Sequence, residues 1–104
     1  MDEVLKDLAA VIEARKGVPA AESYVASLYA GGVDAILKKV GEEAVEVVIA
    51  GKGDDRDALV HEVADLWFHC LVLLAARGSH PEAVTSVLAR RFGISGHVEK
   101  ARRG

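Results

Sequence analysis

The sequence predicts an all-α fold, a helical bundle completed by homodimerisation. Three observations carry this. Apolar residues recur at helical spacing along most of the 104 residues, and no stretch alternates apolar and polar between turn signals as a half-buried strand would. Apolar residues make up 51% of the chain but are chiefly Ala, Val and Leu, with only one Trp, two Tyr and two Phe; such a composition suits packed helices and argues against disorder. The segment 56–77 is apolar on nearly every side, with Leu59, Val60, Val63, Leu66, Trp67, Phe68, Leu71, Val72, Leu73 and Leu74 covering all directions. Such a helix must be covered all round. A chain this short buries a limited fraction of its surface, so a second copy is expected to supply the missing cover.

Each helix has its own signals. Val4, Leu5, Leu8, Ala9 and Ile12 predict a first helix over about 2–16, stopped by Gly17 and Pro19. A short helix is expected over about 21–30, ended by Gly31–Gly32. Asp34 reads as the N-cap of a helix running to about Ala50. The connector "GKGDDRD" follows, with Asp54 or Asp55 as cap for the helix over about 56–77 that Gly78 ends. Pro81 stands where a first-turn proline belongs and opens a last helix to about Phe92. Residues 93–104, with two early glycines and a basic end, read as a loosely ordered tail of one domain spanning 1–104.

The net charge of −3 gives no support for nucleic-acid binding. Cys70 is the only cysteine, which excludes a disulfide framework or a cysteine-based zinc site and fits a reducing compartment. The acidic opening "MDEVLKDLAAVIEARKG" is not that of a signal peptide. The uncharged run Leu66–Ala76 is well short of the roughly 20 residues a membrane span needs. A cytoplasmic protein with no membrane or nucleic-acid partner is expected.

The chemistry lies in "KKVGEEAVEVVIAGKGDD", where three glutamates are set among valines and an isoleucine. At about 100° per residue, Ile36, Leu37, Val40, Ala44, Val47 and Val48 form one apolar arc. Glu43 lies at its edge with Glu46 one turn along, and Glu42 lies further round. On the next helix Ala58, Glu62, Asp65, His69, Val72 and Ala76 form a lengthwise row in which Glu62 and Asp65 are the only acids of the apolar interior. Buried, unpaired carboxylates would cost several kcal/mol. Glu43-x-x-Glu46 and Glu62-x-x-Asp65 each share a face, and antiparallel packing brings the four together. One reading is intrahelical pairing, Lys38 with Glu42 and Lys39 with Glu43, each contributing about 0.2–0.5 kcal/mol; it leaves Glu62 and Asp65 unserved. The other is a divalent cation, which accounts for all four, and all-oxygen ligands select Mg²⁺, Mn²⁺ or Ca²⁺ over zinc or copper.

Other signals carry less. The absence of Glu-x-x-His pairs argues against a di-iron site. "HEVAD" (61–65) misses the second histidine of a zinc-protease motif, and there is no P-loop or G-x-G-x-x-G. His69 reads as a core histidine bonded to a neighbour, or as a support for Asp65.

"ILKKVGEEAVEVVIAG" followed by "HEVADLWFHCLVLLAARG" resembles the phosphoribosyl-ATP pyrophosphohydrolase family of histidine biosynthesis, within the all-α MazG-like NTP pyrophosphatase superfamily. The superfamily pattern E-E-x-x-E … E-x-x-D is complete in Glu42, Glu43, Glu46, Glu62 and Asp65. "ESYVASLYAGG", Lys39-x-Gly-Glu-Glu, "ADLWFHCLVLL" and "RRFGISG" narrow the resemblance to this family over most of residues 20–98. The departures are Val25 where threonine is usual, Trp67 where an aliphatic is common and Phe68 where tyrosine is common.

The resemblance implies a MazG-like bundle, a homo-oligomer (dimer or larger), that hydrolyses phosphoribosyl-ATP to phosphoribosyl-AMP and pyrophosphate by Mg²⁺-activated water. It implies Glu43, Glu46, Glu62 and Asp65 as ligands of one or two Mg²⁺ ions. Glu42 is expected to orient or deprotonate the water, or to serve as a surface partner for Lys38. Lys39 is a candidate phosphate ligand, and Arg90 and Arg91 are candidates for the rest of the anionic substrate; Ser23 and Tyr24 match the family without a firm role. Two alternatives stand beside this reading: a MazG-like housekeeping nucleoside triphosphate pyrophosphatase, and a non-catalytic dimeric helical module whose acids bind a structural cation or none.

Overall fold

The computed structural model describes residues 3–94, and all regular structure among them is helical. The order is α1 (Glu3–Ala14), a 3₁₀ turn (Ala20–Glu22), α2 (Tyr24–Lys52), α3 (Arg56–Ala76) and α4 (Pro81–Arg91). The expectation for residues 95–104 lies outside the described residues. Gly93 and Ile94, assigned to the tail from sequence, belong to the end of α4, where the Ile94 N–H donates to the Ala89 carbonyl at 2.8 Å in the closing bond of a Schellman cap.

The helices start and stop for identifiable reasons. Ser23, not residue 21, opens the second helix: its hydroxyl accepts from the Ala26 N–H at 3.2 Å, as an N-cap serine does. The expected separation at Gly31–Gly32 appears as a break inside one long element, since Gly32 has φ 85° and ψ 177° and the residues on either side of it are helical. That conformation is essentially restricted to glycine, so the break sits at Gly32 rather than at a cap formed by Asp34. Asp55, one of the two candidate caps, accepts from the Ala58 N–H at 3.1 Å. After α3, Gly78 takes φ 77°, and the Gly78 and Ser79 N–H groups donate to Ala75 and Leu74. Pro81 opens α4, and it is buried.

The core gathers at one end. Ile12 of α1, Val25, Leu28 and Ile36 of α2, and Leu71, Val72 and Ala75 of α3 form one buried cluster, and the Tyr29 hydroxyl donates to the Ile12 carbonyl at 3.0 Å. The buried residues of α3 all come from its C-terminal half (His69, Leu71, Val72 and Ala75). The all-round cover expected for α3 is therefore not met within one chain, and Val60 and Trp67 stand more than half exposed. By length and composition α3 would suffice to cross a membrane, but its second half packs into the core with α1 and α2, as a core helix does. The second arm of α2 and the first half of α3 extend from the core as a helical hairpin joined by residues 53–55.

Two glycines of α2 respond oppositely to an added methyl group. A Cβ at either Gly32 or Gly41 meets no atom within 4 Å, but only Gly32 has positive φ. Gly32→Ala is expected to destabilise by about 1–3 kcal/mol, and Gly41→Ala, in regular helix, to stabilise by about 0.5–1 kcal/mol. Urea unfolding of the two variants beside the parent checks both signs.

Candidate metal centre

The hairpin brings acids of α2 and α3 face to face. Glu43, Glu62 and Asp65 each offer a carboxylate oxygen within 4.8 Å of the other two. The pattern of apolar residues dictates this: Ile36, Val40 and Val47 turn one side of α2 towards α3, and Glu43 lies at the border of that side. Glu62 and Asp65, one turn apart, occupy the matching border of α3. Glu43 and Glu62 are half-buried and Asp65 is exposed. Glu46 is exposed and stands outside the group of three, but its charge acts on Glu62.

Of the two expected pairings, Lys39 with Glu43 is present and Lys38 with Glu42 is not among the ion pairs of the described residues. Lys39 Nζ lies 3.4 Å from Glu42 and 3.5 Å from Glu43, so one lysine serves both glutamates. Its ammonium is favoured above the usual lysine range chiefly by the Tyr24 phenol oxygen; burial opposes this, and the hydrogen bond to Glu42 and the charges of Glu42 and Glu43 add to it. No basic residue pairs with Glu62 or Asp65 among the described residues, as their positions on an apolar helix predict. Arg90 and Arg91 end α4, whose Pro81, Val84 and Leu88 line an apolar groove of about 300 Å³ with Trp67, Cys70 and Leu74 of α3. At about 100° per residue, that side of α3 is opposite the side carrying Glu62 and Asp65. Within one chain the two arginines are not brought to the acids.

His69 is buried and bonded both to Asp65, through that residue's backbone, and to Tyr24. The Tyr24 hydroxyl lies 2.7 Å from His69 Nε2, and His69 Nδ1 lies 2.7 Å from the Asp65 carbonyl oxygen. His69 was legible as a buried polar group needing a partner; its partner, 45 residues away in sequence, was not.

Such an arrangement, three carboxylates from two helices of an all-α protein, offers oxygen donors of the kind that suit a hard divalent cation. The family model for phosphoribosyl-ATP pyrophosphohydrolase matches residues 5–92, and the chain belongs to that family. Its members are hydrolases of a phosphoric anhydride, acting on phosphoribosyl-ATP in histidine biosynthesis.

The electrostatics yield a test. Desolvation, followed by the charges of Asp65, Glu46 and Glu43, raises the Glu62 pKa above its ordinary 4.5. In the metal-free protein the folded state thus holds this proton more tightly than the unfolded state, so ionising Glu62 opposes folding. The penalty is absent below about pH 4.5 and develops as pH rises through the raised value. Glu62→Gln is expected to raise the unfolding temperature in chelator at pH 7 and to leave it unchanged at pH 4. Thermal unfolding at the two pH values checks this.

Proposed function

We propose that the chain hydrolyses phosphoribosyl-ATP to phosphoribosyl-AMP and pyrophosphate with Mg²⁺ held at Glu43, Glu62 and Asp65. The observation that carries this is the convergence of three carboxylates from two helices, two of which, Glu62 and Asp65, have no ion pair among the described residues. The ligand set fits the ion: Mg²⁺ takes oxygen ligands at about 2.0–2.1 Å, binds through few carboxylates and completes its shell with water and substrate phosphate. When bound, the ion supplies positive charge to the phosphates and lowers the pKa of a water.

The side chains divide the remaining work. Glu46, facing Glu62 from the exposed end of the cluster, extends the ligand set towards a second ion or the metal-bearing phosphates. Glu42 lies beside the cluster and outside it, where it can orient the attacking water or take its proton. Its alternative partner is Lys39 rather than Lys38. Lys39 pairs with Glu42 and Glu43 at 3.4–3.5 Å and holds a substrate phosphate by exchanging them for phosphate oxygens. Arg90 and Arg91 bind the distal anionic groups only from a second protomer, given the side of α3 on which α4 lies.

Two observations support a dimer. The Cα radius of gyration is 15.8 Å, against about 13 Å for a compact domain of 100 residues. Val45, Val48 and Ile49 on α2 and Val60 and Trp67 on α3 are all more than half exposed, a larger apolar surface than isolated surface residues produce. Ile49→Glu is expected to convert the dimer to monomer in light scattering, while Glu3→Gln, an exposed change at the start of α1, leaves the mass unchanged.

Pyrophosphate release in Mg²⁺, with phosphoribosyl-ATP set against ATP, dUTP and dCTP, tests the activity. Strong preference for phosphoribosyl-ATP, abolished by chelator, is expected, with Glu43→Gln and Glu62→Gln each lowering kcat/KM at least about 10²-fold. Comparable turnover of a plain triphosphate would place the chain with housekeeping pyrophosphatases. Absence of turnover from a folded protein would leave the binding module.

A further inference from the structure

The hydrogen bonds around His69 fix more than a buried histidine requires. A carbonyl oxygen only accepts, so the 2.7 Å contact with the Asp65 carbonyl places a proton on Nδ1. In the neutral ring Nε2 is then an acceptor, and the Tyr24 hydroxyl, 2.7 Å away, donates to it. The tautomer, the ring orientation and the tyrosine proton are all set by one backbone oxygen. That oxygen belongs to the residue whose carboxylate joins the cluster.

Ring packing holds the same parts. Phe68 stacks on Tyr24 with centroids 6.1 Å apart and an interplanar angle of 26°, and meets His69 edge-on at 5.0 Å. His69 is 5% exposed whereas Tyr24 is 51% exposed. Tyrosine packing alone does not require its hydroxyl to point at the histidine, because a half-exposed phenol can be satisfied by water.

The path of the chain explains why this bond matters. Tyr24 begins the first arm of α2, Glu43 lies on the second arm, and Gly32 interrupts the helix between them. The helix alone therefore does not rigidly relate Tyr24 to Glu43. Asp65 on α3 must nonetheless meet Glu43 to within a few ångströms. Contacts from each arm to α3 set that register, and the Tyr24–His69 bond joins the first arm to α3 one helical turn from Asp65.

We propose that Tyr24 and His69 are a positioning pair for the carboxylate cluster, His69 anchored on the Asp65 carbonyl and Tyr24 fixing the depth at which α3 sits against α2. The pair stands outside the group of three carboxylates and acts through the placement of Asp65 opposite Glu43. The inference rests on the reading of these acids as a cation site, so its test reads the cation directly.

The probe is Mn²⁺ alone, bound to the full chain without substrate and followed by electron paramagnetic resonance. Tyr24→Phe removes one oxygen and leaves the stacked ring, and it is expected to weaken Mn²⁺ binding about tenfold, the lower end of what loss of a ligand's support costs. His69→Asn keeps a donor near the Nδ1 position and loses the Nε2 acceptor; it should weaken binding equally, and the double variant should be no worse than either single one. Parental affinity in Tyr24→Phe, with or without a lower unfolding temperature, would overturn the proposal and leave the cation site standing. A parent chain that binds no Mn²⁺ would overturn the cation reading and this inference with it. If His69→Asn fails to fold, Tyr24→Phe alone decides.

Discussion

The meeting of α2 and α3 places like charges on both sides of one seam, and the other features of the chain follow from that conflict. Glu43 faces Glu62 and Asp65 across it, with Glu46 adding to the field at Glu62. Helix faces that meet ordinarily bury complementary groups, because an uncompensated charge away from water costs far more than a hydrogen bond returns. Lys39 offsets part of the charge on the α2 side alone. The seam persists because cohesion is supplied elsewhere, by Ile12, Leu28, Ile36 and Val72 in the core. On the proposed reading, a site built from groups that repel one another in the empty state needs this separation of holding and binding.

That separation is visible along each helix. The C-terminal half of α3 is anchored and its N-terminal half carries the acids with less cover. The second arm of α2 likewise leaves the core as it reaches Glu43 and Glu46. A cluster in the middle of the core would have to be dry, and unpaired carboxylates there would protonate rather than wait for a cation. A cluster on a wholly open surface would be screened and weak. The hairpin gives the intermediate case, with Glu43 and Glu62 half-buried and Asp65 open to water.

Much of this could be read from residue spacing, and the parts that could not share one cause. The helical segments on either side of Gly32, the cap at Asp55, the first-turn Pro81 and the end at Gly78 are local signals, and local signals survive folding. The i, i+3 pairing of acids is also local, so the acidic face of each helix was legible. Which three of the four acids converge depends on how deeply and at what angle the helices pack, and spacing says nothing about that. Lys39 replaces Lys38 as the partner of Glu42 because i, i+3 and i, i+4 are both within reach on a helix; periodicity does not choose between them. The Tyr24–His69 bond and the position of α4 relative to the acids are tertiary facts. The membrane-like composition of α3 illustrates the same limit, since composition alone does not distinguish a lipid-facing helix from one covered by protein.

Charge at the cluster then determines the order of events on the proposed reading. Glu42, Glu43, Glu46, Glu62 and Asp65 bring five negative charges to the seam, and among the described residues Lys39 is the lysine that pairs with them, reaching Glu42 and Glu43. A nucleotide bearing several phosphates is repelled by that field unless cations accompany it, and two divalent ions are enough to neutralise the cluster. Approach is therefore coupled to the cation: the substrate binds as its metal complex or after the metal, and the acids that penalise the empty fold become the groups that admit the substrate. The same field explains why α4 can keep Arg90 and Arg91 on the far side of α3. Placed beside the acids within one chain, they would form salt bridges with the carboxylates and cancel the charge that selects a divalent ion. Supplied from a neighbouring protomer, they would meet the phosphates beyond the cations instead, where positive charge is still needed.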